Sequence, residues 1–238
     1  MGYFSFNGRK CTEFGMVASG PARFNGAGRD LEYLAVPGRN GSFVQDNGRY
    51  KNIPVSYPVG ISRDFIRMAS RARAWLGSAK GYCKLIDSYE PDQFWLAVFE
   101  GPLEFDPQLL CRMGEAEIHF TCRPERFLTA GQRTIQFAEA GSLHNPTAFS
   151  AQPVITVAGE GPGVLTVGGR DVVFHELGGG IVLDCESMDA FAHAEGGVVS
   201  RNSWIHAPEF PVLEPGKNQI SFDGGITGVE IVPRWWTL

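Results

Sequence analysis

The chain has 238 residues, enough for one large or two ordinary domains whose core needs no metal or disulfide staple. Apolar residues at 43% and charged residues at 20% exclude wholesale disorder, and thirty glycines and fifteen prolines scattered without a Gly-X-Y period exclude collagen while predicting frequent turns. A net charge of −5 argues against a surface built to neutralise nucleic-acid phosphates, and its uneven placement, with sixteen Lys and Arg against fourteen Asp and Glu in residues 1–130 but five against twelve in residues 131–238, points to two domains.

The opening MGYFSFNGRKC lacks the apolar region of a secretory signal, and Phe6 stands where a myristoylation signal after Gly2 needs Ser or Thr. No apolar run approaches the roughly 18 residues of a membrane span, so an unsecreted product is expected. From Val36, the pairs Pro37-Gly38 and Asn40-Gly41 read as turns and Asn47-Gly48 as a two-residue hairpin loop, with Arg39, Arg49 and Lys51 on the hairpin. Such a hairpin suits either strand addition to a neighbouring subunit or an ordinary intramolecular pairing. Ile53, Val55, Tyr57, Val59 and Ile61 then alternate with Pro54, Ser56, Pro58 and Gly60, which predicts a strand kept by its prolines at a sheet edge.

Between Ser62 and Leu76 the period changes. Phe65, Met68, Ala69, Ala72, Trp75 and Leu76 share one side of a helical wheel, with Ser62 placed to cap the start, Asp64 near the positive end and Gly77 to stop it. Arg63, Arg67 and Arg71 form a stripe opposite that face, either merely solvated or a contact with another subunit or an acidic surface. Phe94–Phe99 is apolar on both faces and predicts a strand sandwiched between layers. Ala116, Ile118, Phe120 and Cys122 alternate with Glu115, Glu117, His119 and Thr121 as a half-buried strand. Alternation lapses after Cys122, which puts the domain boundary between about 124 and 133 and gives domains of 1–130 and 131–238.

Past Thr134, strands are predicted at Pro153–Val157, Val164–Val167, Val172–Phe174, Ile181–Asp184, Asn218–Phe222 and Val229–Val232, punctuated by glycines, with no amphipathic helix; a β-sandwich follows. Catalytic signatures are missing. His175-Glu176 begins like a zinc-protease helix but runs into Gly178 and Gly179, and neither a nucleophile elbow nor a phosphate-binding loop is present. His119, His144, His193 and His206 have no ligand-like spacing. Asp184 with Glu186 has the composition of a calcium or glycosidase pair, and equally of a strand ending in a turn whose side chains bond the backbone. Trp204, Trp235 and Trp236 suit either sugar stacking or packing at the base of the sandwich or a domain junction. The five cysteines, Cys11, Cys83, Cys111, Cys122 and Cys185, form no C-x-x-C and read as small core residues of a reducing compartment.

Several stretches, taken in order, resemble a known family. PGRNG (37–41), then Asp46, Gly48 and Tyr50, then Asn52 and the strand with Tyr57, resemble the N-terminal domain of the distal tail proteins of long-tailed bacteriophages. The likeness continues through Trp75-Leu76, the strand-turn-strand around Pro91 and EIHFTCRPERF (117–127). Asn145 to Pro153, Ile181 to Asp184, FPVLEPGKNQI (210–220) and PRWW (233–236) are similar to that family's galectin-like C-terminal sandwich, although Asn145-Pro146-Thr147 departs from it where a glycine is expected.

The resemblance implies a mainly β protein: an N-terminal β-sandwich-like domain with one α-helix and an extended hairpin, followed by a galectin-like C-terminal β-sandwich. It also implies a structural protein and no enzyme, with no catalytic residue, cofactor or metal. Its place would be a homo-oligomeric ring, a hexamer, at the virion tail tip or baseplate, assembled in the host bacterial cytoplasm. Its partners would be copies of itself, the major tail tube protein, the tail-tip or tail-associated lysin protein and receptor-binding proteins used in host attachment, with no sequence-specific nucleic acid and no membrane insertion. The residues placed at the ring interface are Arg39, Asn47, Gly48, Arg49, Arg63, Arg67 and Arg71. The alternative is a lectin-like adhesion protein stacking sugars on Trp204, Trp235 and Trp236.

Overall fold

Alternation of apolar and polar side chains builds both halves of the molecule. In the computed structural model, which describes residues 2–21, 26–110 and 112–238, the chain divides into two compact units, Met1–Arg126 with Leu238, and Phe127–Thr237. The first runs β1 (Phe4–Phe6), β2 (Arg9–Lys10), β3 (Met16–Ala18), β4 (Arg29–Ala35), β5 (Ser42–Tyr50), β6 (Ile53–Ile61), α1 (Phe65–Ser78), β7 (Cys83–Asp87), β8 (Gln93–Val98), β9 (Asp106–Gln108) and β10 (Met113–Leu128). Its sheet has the order β2-β1-β7-β8-β10-β6-β3, with β9 also on β10, while β4 and β5 pair only with each other.

The five alternating apolar residues of β6 are all buried, as are Ile118, Phe120 and Cys122 on β10. β6 is not the edge strand that its prolines predict. β10 pairs with it from Ile53 to Ile61, and β3 covers Val59–Ile61 on the other side. The prolines are tolerated because β3 stops short of Pro54, and at Pro58 only the carbonyl is used, accepting from Ser19 N–H at 3.1 Å. On β8, Trp95 and Ala97 enter the core, whereas on its other face Phe94 is buried and Leu96 and Val98 are half-buried. β10 continues through Pro124 to Leu128, so the lapse in alternation after Cys122 marks a change of surroundings and not the end of a strand.

The helix begins and ends later than its capping residues predict. Asp64, in the left-handed region at φ 49, precedes Phe65, and Ser62 is not the cap. Gly77 lies within the last turn, and the chain leaves the helix at Ala79 in extended backbone, with Ser78 Oγ donating to Trp75 O at 2.9 Å. The apolar stripe is as the period requires: Phe65, Ala69, Ala72, Trp75 and Leu76 are buried, and Trp75 stacks on Phe14 with ring centroids 4.3 Å apart.

The second unit contains β11 (Ile135–Phe137), β12 (Gly141–Asn145), β13 (Val154–Val167), β14 (Arg170–Phe174), β15 (Gly179–Asp184), β16 (Asp189–Ala194), β17 (Gly197–Ser200), β18 (Ile205–His206), β19 (Gly216–Val232) and β20 (Trp236–Thr237). Two pairs of expected strands are single long ones: 153–157, except for Pro153, and 164–167 lie in β13, and 218–222 and 229–232 both lie in β19. The glycines between them do not end the strands; they bend them. Register shifts fall at Ala158/Gly159 and Gly159/Gly163, and there the backbones approach so closely that a Cβ on Gly225 would stand 1.7 Å from Glu160 O.

On one side of the bend β13 pairs with β15 and with the C-terminal part of β19; on the other it pairs with β14 and with the N-terminal part of β19. One sheet is thereby folded over a single core, to which Ile155, Val157, Ile181 and Leu183 contribute from one side and Leu165, Val172, Phe174 and Ile220 from the other. Asn145, buried, closes the Asn-Pro-Thr turn. Its Nδ2 donates to Phe149 O at 2.8 Å and Leu213 O at 3.0 Å, and its Oδ1 accepts from Thr147 N–H at 2.9 Å. Cys11, Cys122 and Cys185 are buried free thiols and Cys83 is half-buried; Cys111 lies outside the described residues. Burial pushes the thiols of Cys122 and Cys185 up to about 12, which keeps them protonated and unreactive at neutral pH.

Candidate assembly surface

The β4–β5 hairpin carries most of the residues that sequence reasoning assigns to an interface, but its loop is not where the Asn-Gly pair predicts. The turn is 36–41, closed by Arg39 N–H on Val36 O at 3.2 Å, and Gly38 takes φ 78 there. Asn47-Gly48 instead lies inside β5 as a bulge. Arg29 pairs with Tyr50 and Leu31 with Asp46, so Asp30 alone faces three residues. Gly48, at φ 68, supplies the backbone conformation that the bulge requires.

Charges pin this bend. Asp30 accepts from Arg49 Nε at 2.8 Å and lies 3.4 Å from Lys51 Nζ; Arg29 pairs with Asp46 at 3.1 Å; and Asn47 Nδ2 donates to Glu32 at 3.3 Å. The bond from Arg49 holds the Asp30 carboxyl below its ordinary range. Arg49 and Asn47 therefore shape the base of the hairpin from within. Arg39, at the tip, lies with its guanidinium 4.2 Å from the Phe43 ring centroid, and it alone of Arg29, Arg39, Arg49 and Lys51 has no carboxylate partner among the described residues.

Sequence reasoning passed over the apolar residues of this hairpin. Tyr33 is 67% exposed, Leu34 51%, Phe43 52% and Val44 56%, with Tyr33 opposite Val44 and Leu34 opposite Phe43, so both faces present apolar pairs to solvent. Their signal was the unalternating Tyr33–Val36 run facing Phe43-Val44 across a turn, a pattern that in a strand means burial on both faces. Among the described residues nothing provides it.

The arginine stripe of α1 lies on the exposed side of the helix. Arg67 forms an ion pair with Asp64, and Arg71 approaches Met68 Sδ at 3.7 Å and the Phe14 ring centroid at 5.8 Å. Ile66, beside the stripe, is 70% exposed. Arg63 is exposed at the approach to the helix. These side chains are thus partly engaged with their own helix and its support.

In the second unit the acidic pair is held by one arginine. Arg234 Nη1 and Nη2 bond the two oxygens of Asp184 at 2.9 and 3.1 Å, and Nη1 reaches Glu186 at 3.4 Å. Asp184 also accepts Glu186 N–H at 3.1 Å, as a strand ending in a turn requires. Burial acts to raise the Asp184 carboxyl, but the bonds and charge of Arg234 together with the backbone donors hold it below the ordinary range. Glu176 likewise serves the backbone: its Oε1 accepts N–H groups of Gly161, Leu177 and Gly178. Among the described residues no group of His, Cys, Asp and Glu is arranged to hold a metal ion.

The three tryptophans are spread apart in role. Trp235 is buried in the core and offers no ring face to a sugar, which removes it from the stacking set. Trp236 stacks on Phe149 at 4.5 Å with Nε1 donating to Ser150 O, and Trp204 lies under the Arg201 guanidinium at 4.0 Å. Just before Trp236, Leu128 N–H donates to Trp235 O and Arg234 N–H to Gly131 O, both at 2.8 Å.

Residues 9–122 match the family model of the phage tail protein RIFT-related domain. Just under half of the chain is thus similar to a phage-tail RIFT-related domain. That tail domain includes the hairpin, the helix and most of the first sheet. The whole fold is similar to that of the Dit protein of phage SPP1, described as a paradigm of the hub adsorption apparatus in phages infecting Gram-positive bacteria, at a TM-score of 0.72 and 10% identity over 97% of this chain and 98% of that one. A chain of the phage P2 baseplate in its calcium-activated conformation is also similar, at a TM-score of 0.55 and 6% identity over 97% of each chain. No curated protein matches by sequence. The fold is therefore that of the SPP1 Dit protein. Among the described residues it is mainly β, with one α-helix, in the first unit.

Proposed function

We propose that this chain is a structural distal tail protein that assembles into a closed ring, a hexamer, at the tip of a phage tail. There it joins the major tail tube protein to the tail-tip or lysin protein and to receptor-binding proteins. The observation that carries this reading is the hairpin, which stands apart from the core with Tyr33, Leu34, Phe43 and Val44 half or more exposed. Soluble monomers rarely expose such a cluster, and a head-to-tail contact that closes by rotation would cover it in every copy at once. Residues 1–130, the ring-forming domain in this reading, have nearly balanced charge, which suits a lumen that passes DNA without gripping it through phosphate neutralisation.

The C-terminal domain of this reading, residues 131–238, faces outward and offers the surface for tip or receptor-binding proteins. Its acidic pair serves structure, since Asp184 and Glu186 share Arg234, and this favours a scaffold over a hydrolase. Gold-labelled antibody against the chain should mark the far end of assembled tails in electron micrographs. Label along the tube or on the capsid would overturn the assignment.

A further inference from the structure

We propose that an acid-rimmed groove on the solvent face of the first unit's sheet receives the hairpin tip of a second copy of this chain, with Arg39 meeting Asp106 and Glu115. The inference rests on the ring reading above and names the contact that would close it. The groove, of about 640 Å³, runs along β3, β6 and β10. Its floor carries the apolar side chains of Val17 and Pro58 beside Gly60, and its rim carries Glu104, Asp106, Glu115 and Glu117.

Two observations point to a cationic occupant. Asp106 and Glu115 stand directly opposite one another in the β9–β10 register, an arrangement of like charges that costs stability in an antiparallel pair. Neither they nor Glu104 has an ion-pair partner among the described residues; Glu117 alone is engaged, accepting from Ser56 Oγ at 2.6 Å. A positive side chain set between the two carboxylates would convert that repulsion into attraction.

The hairpin tip has the complementary chemistry. Arg39 is the hairpin cation without a carboxylate of its own, and it sits beside the exposed apolar groups of Leu34, Val36 and Phe43, which match the groove's apolar floor. The other cationic feature, the helix stripe, fits less well: Arg67 already pairs with Asp64. No hairpin residue lines the groove, so the tip does not occupy its own subunit's site. Donor and acceptor are therefore different patches of one chain, the condition for a head-to-tail interface that closes into a ring.

The test is a charge swap followed by sedimentation velocity and native mass spectrometry of the full chain. Arg39→Glu and Glu115→Arg are each expected to weaken association about tenfold or more, and the two together to restore it to within about threefold, as a direct pair requires. All of these side chains are exposed, so circular dichroism and melting should show intact folds; Glu115→Arg should even raise the monomer's melting temperature, by relieving the repulsion with Asp106. If both single variants assemble like the parent, the docking is wrong while the ring reading stands. If the singles weaken assembly and the swap does not rescue it, the two groups do not meet. A parent chain that never associates overturns the ring reading and this contact with it.

Discussion

Leu34 and Phe43 offer a direct way to separate what the hairpin does for the fold from what it does for assembly. They face each other across β4 and β5, are 51% and 52% exposed, and belong to neither buried core. Replacing both with serine removes a cross-strand pair worth about 0.2–1 kcal/mol and an exposed cation–π contact with Arg39 worth about 0.5–1 kcal/mol, losses that loosen the hairpin locally. Because the hairpin pairs only with itself, the melting temperature of the body should move by less than about 3 °C. Assembly should respond differently. Burying the exposed half of two such side chains contributes about 2–3 kcal/mol, so their loss should weaken association on the order of 30- to 160-fold. Differential scanning calorimetry at low concentration and sedimentation velocity over a concentration series read the two quantities separately. A fall in melting temperature above about 10 °C with unchanged association would refute the reasoning and make the hairpin a core element.

Three further outcomes are expected. Gly225→Ala places a Cβ 1.7 Å from Glu160 O at the bend of the second sheet, a backbone clash that should cost more than about 3 kcal/mol in chemical denaturation. Arg234→Met, by taking the guanidinium away from Asp184, whose side chain is about three-quarters buried, should cost about 2 kcal/mol at pH 7. Asp184 has a depressed carboxyl in the folded state, so its contribution is present above the ordinary carboxylate value and lost as pH falls through the folded one; the difference between parent and Arg234→Met should shrink below pH 4 in pH-dependent melting. Asp87 has the opposite sign. Burial raises its carboxyl beside Tyr57, so the parent loses stability as pH rises through that value, and Asp87→Asn should gain about 1 kcal/mol at pH 8 but little at pH 4.

What could be read from the residues follows from which forces are local. Strict alternation put β6 and the first part of β10 in place, since a period of two with one apolar face has few other solutions, and the wheel of Phe65, Ala69, Ala72 and Trp75 did the same for α1. Helix ends were misplaced because Ser62 and Gly77 have the right chemistry, yet the packing of Phe65, for which Gly114 leaves the space, sets where the first turn begins. Glycine was ambiguous in the same way. It marks turns, bends and bulges alike, so Asn47-Gly48 read as a loop when it is a bulge, whereas Asn7-Gly8, with φ of 50 and 77, is a true two-residue turn between β1 and β2. In the second unit the glycines at 159, 163, 224 and 225 suggested breaks where two long strands bend together, a distinction that depends on a partner strand far away in the sequence.

The candidate surface was legible mainly as charge. Arg39 and Arg49 stand out in any reading, but only the register reveals that Arg49 is spent on Asp30 while Arg39 is not. The exposed apolar pairs of the hairpin and the opposed carboxylates of Asp106 and Glu115 are products of strand pairing, which no local pattern specifies.

The central claim is that copies of this chain hold one another in a closed circle. Native mass spectrometry of the purified full chain over a range of concentrations, with negative-stain images of the same samples, addresses it most directly. A discrete six-copy species that appears as rings is the predicted result; a chain that stays monomeric at the highest concentration, even with its tail partners added, would contradict it.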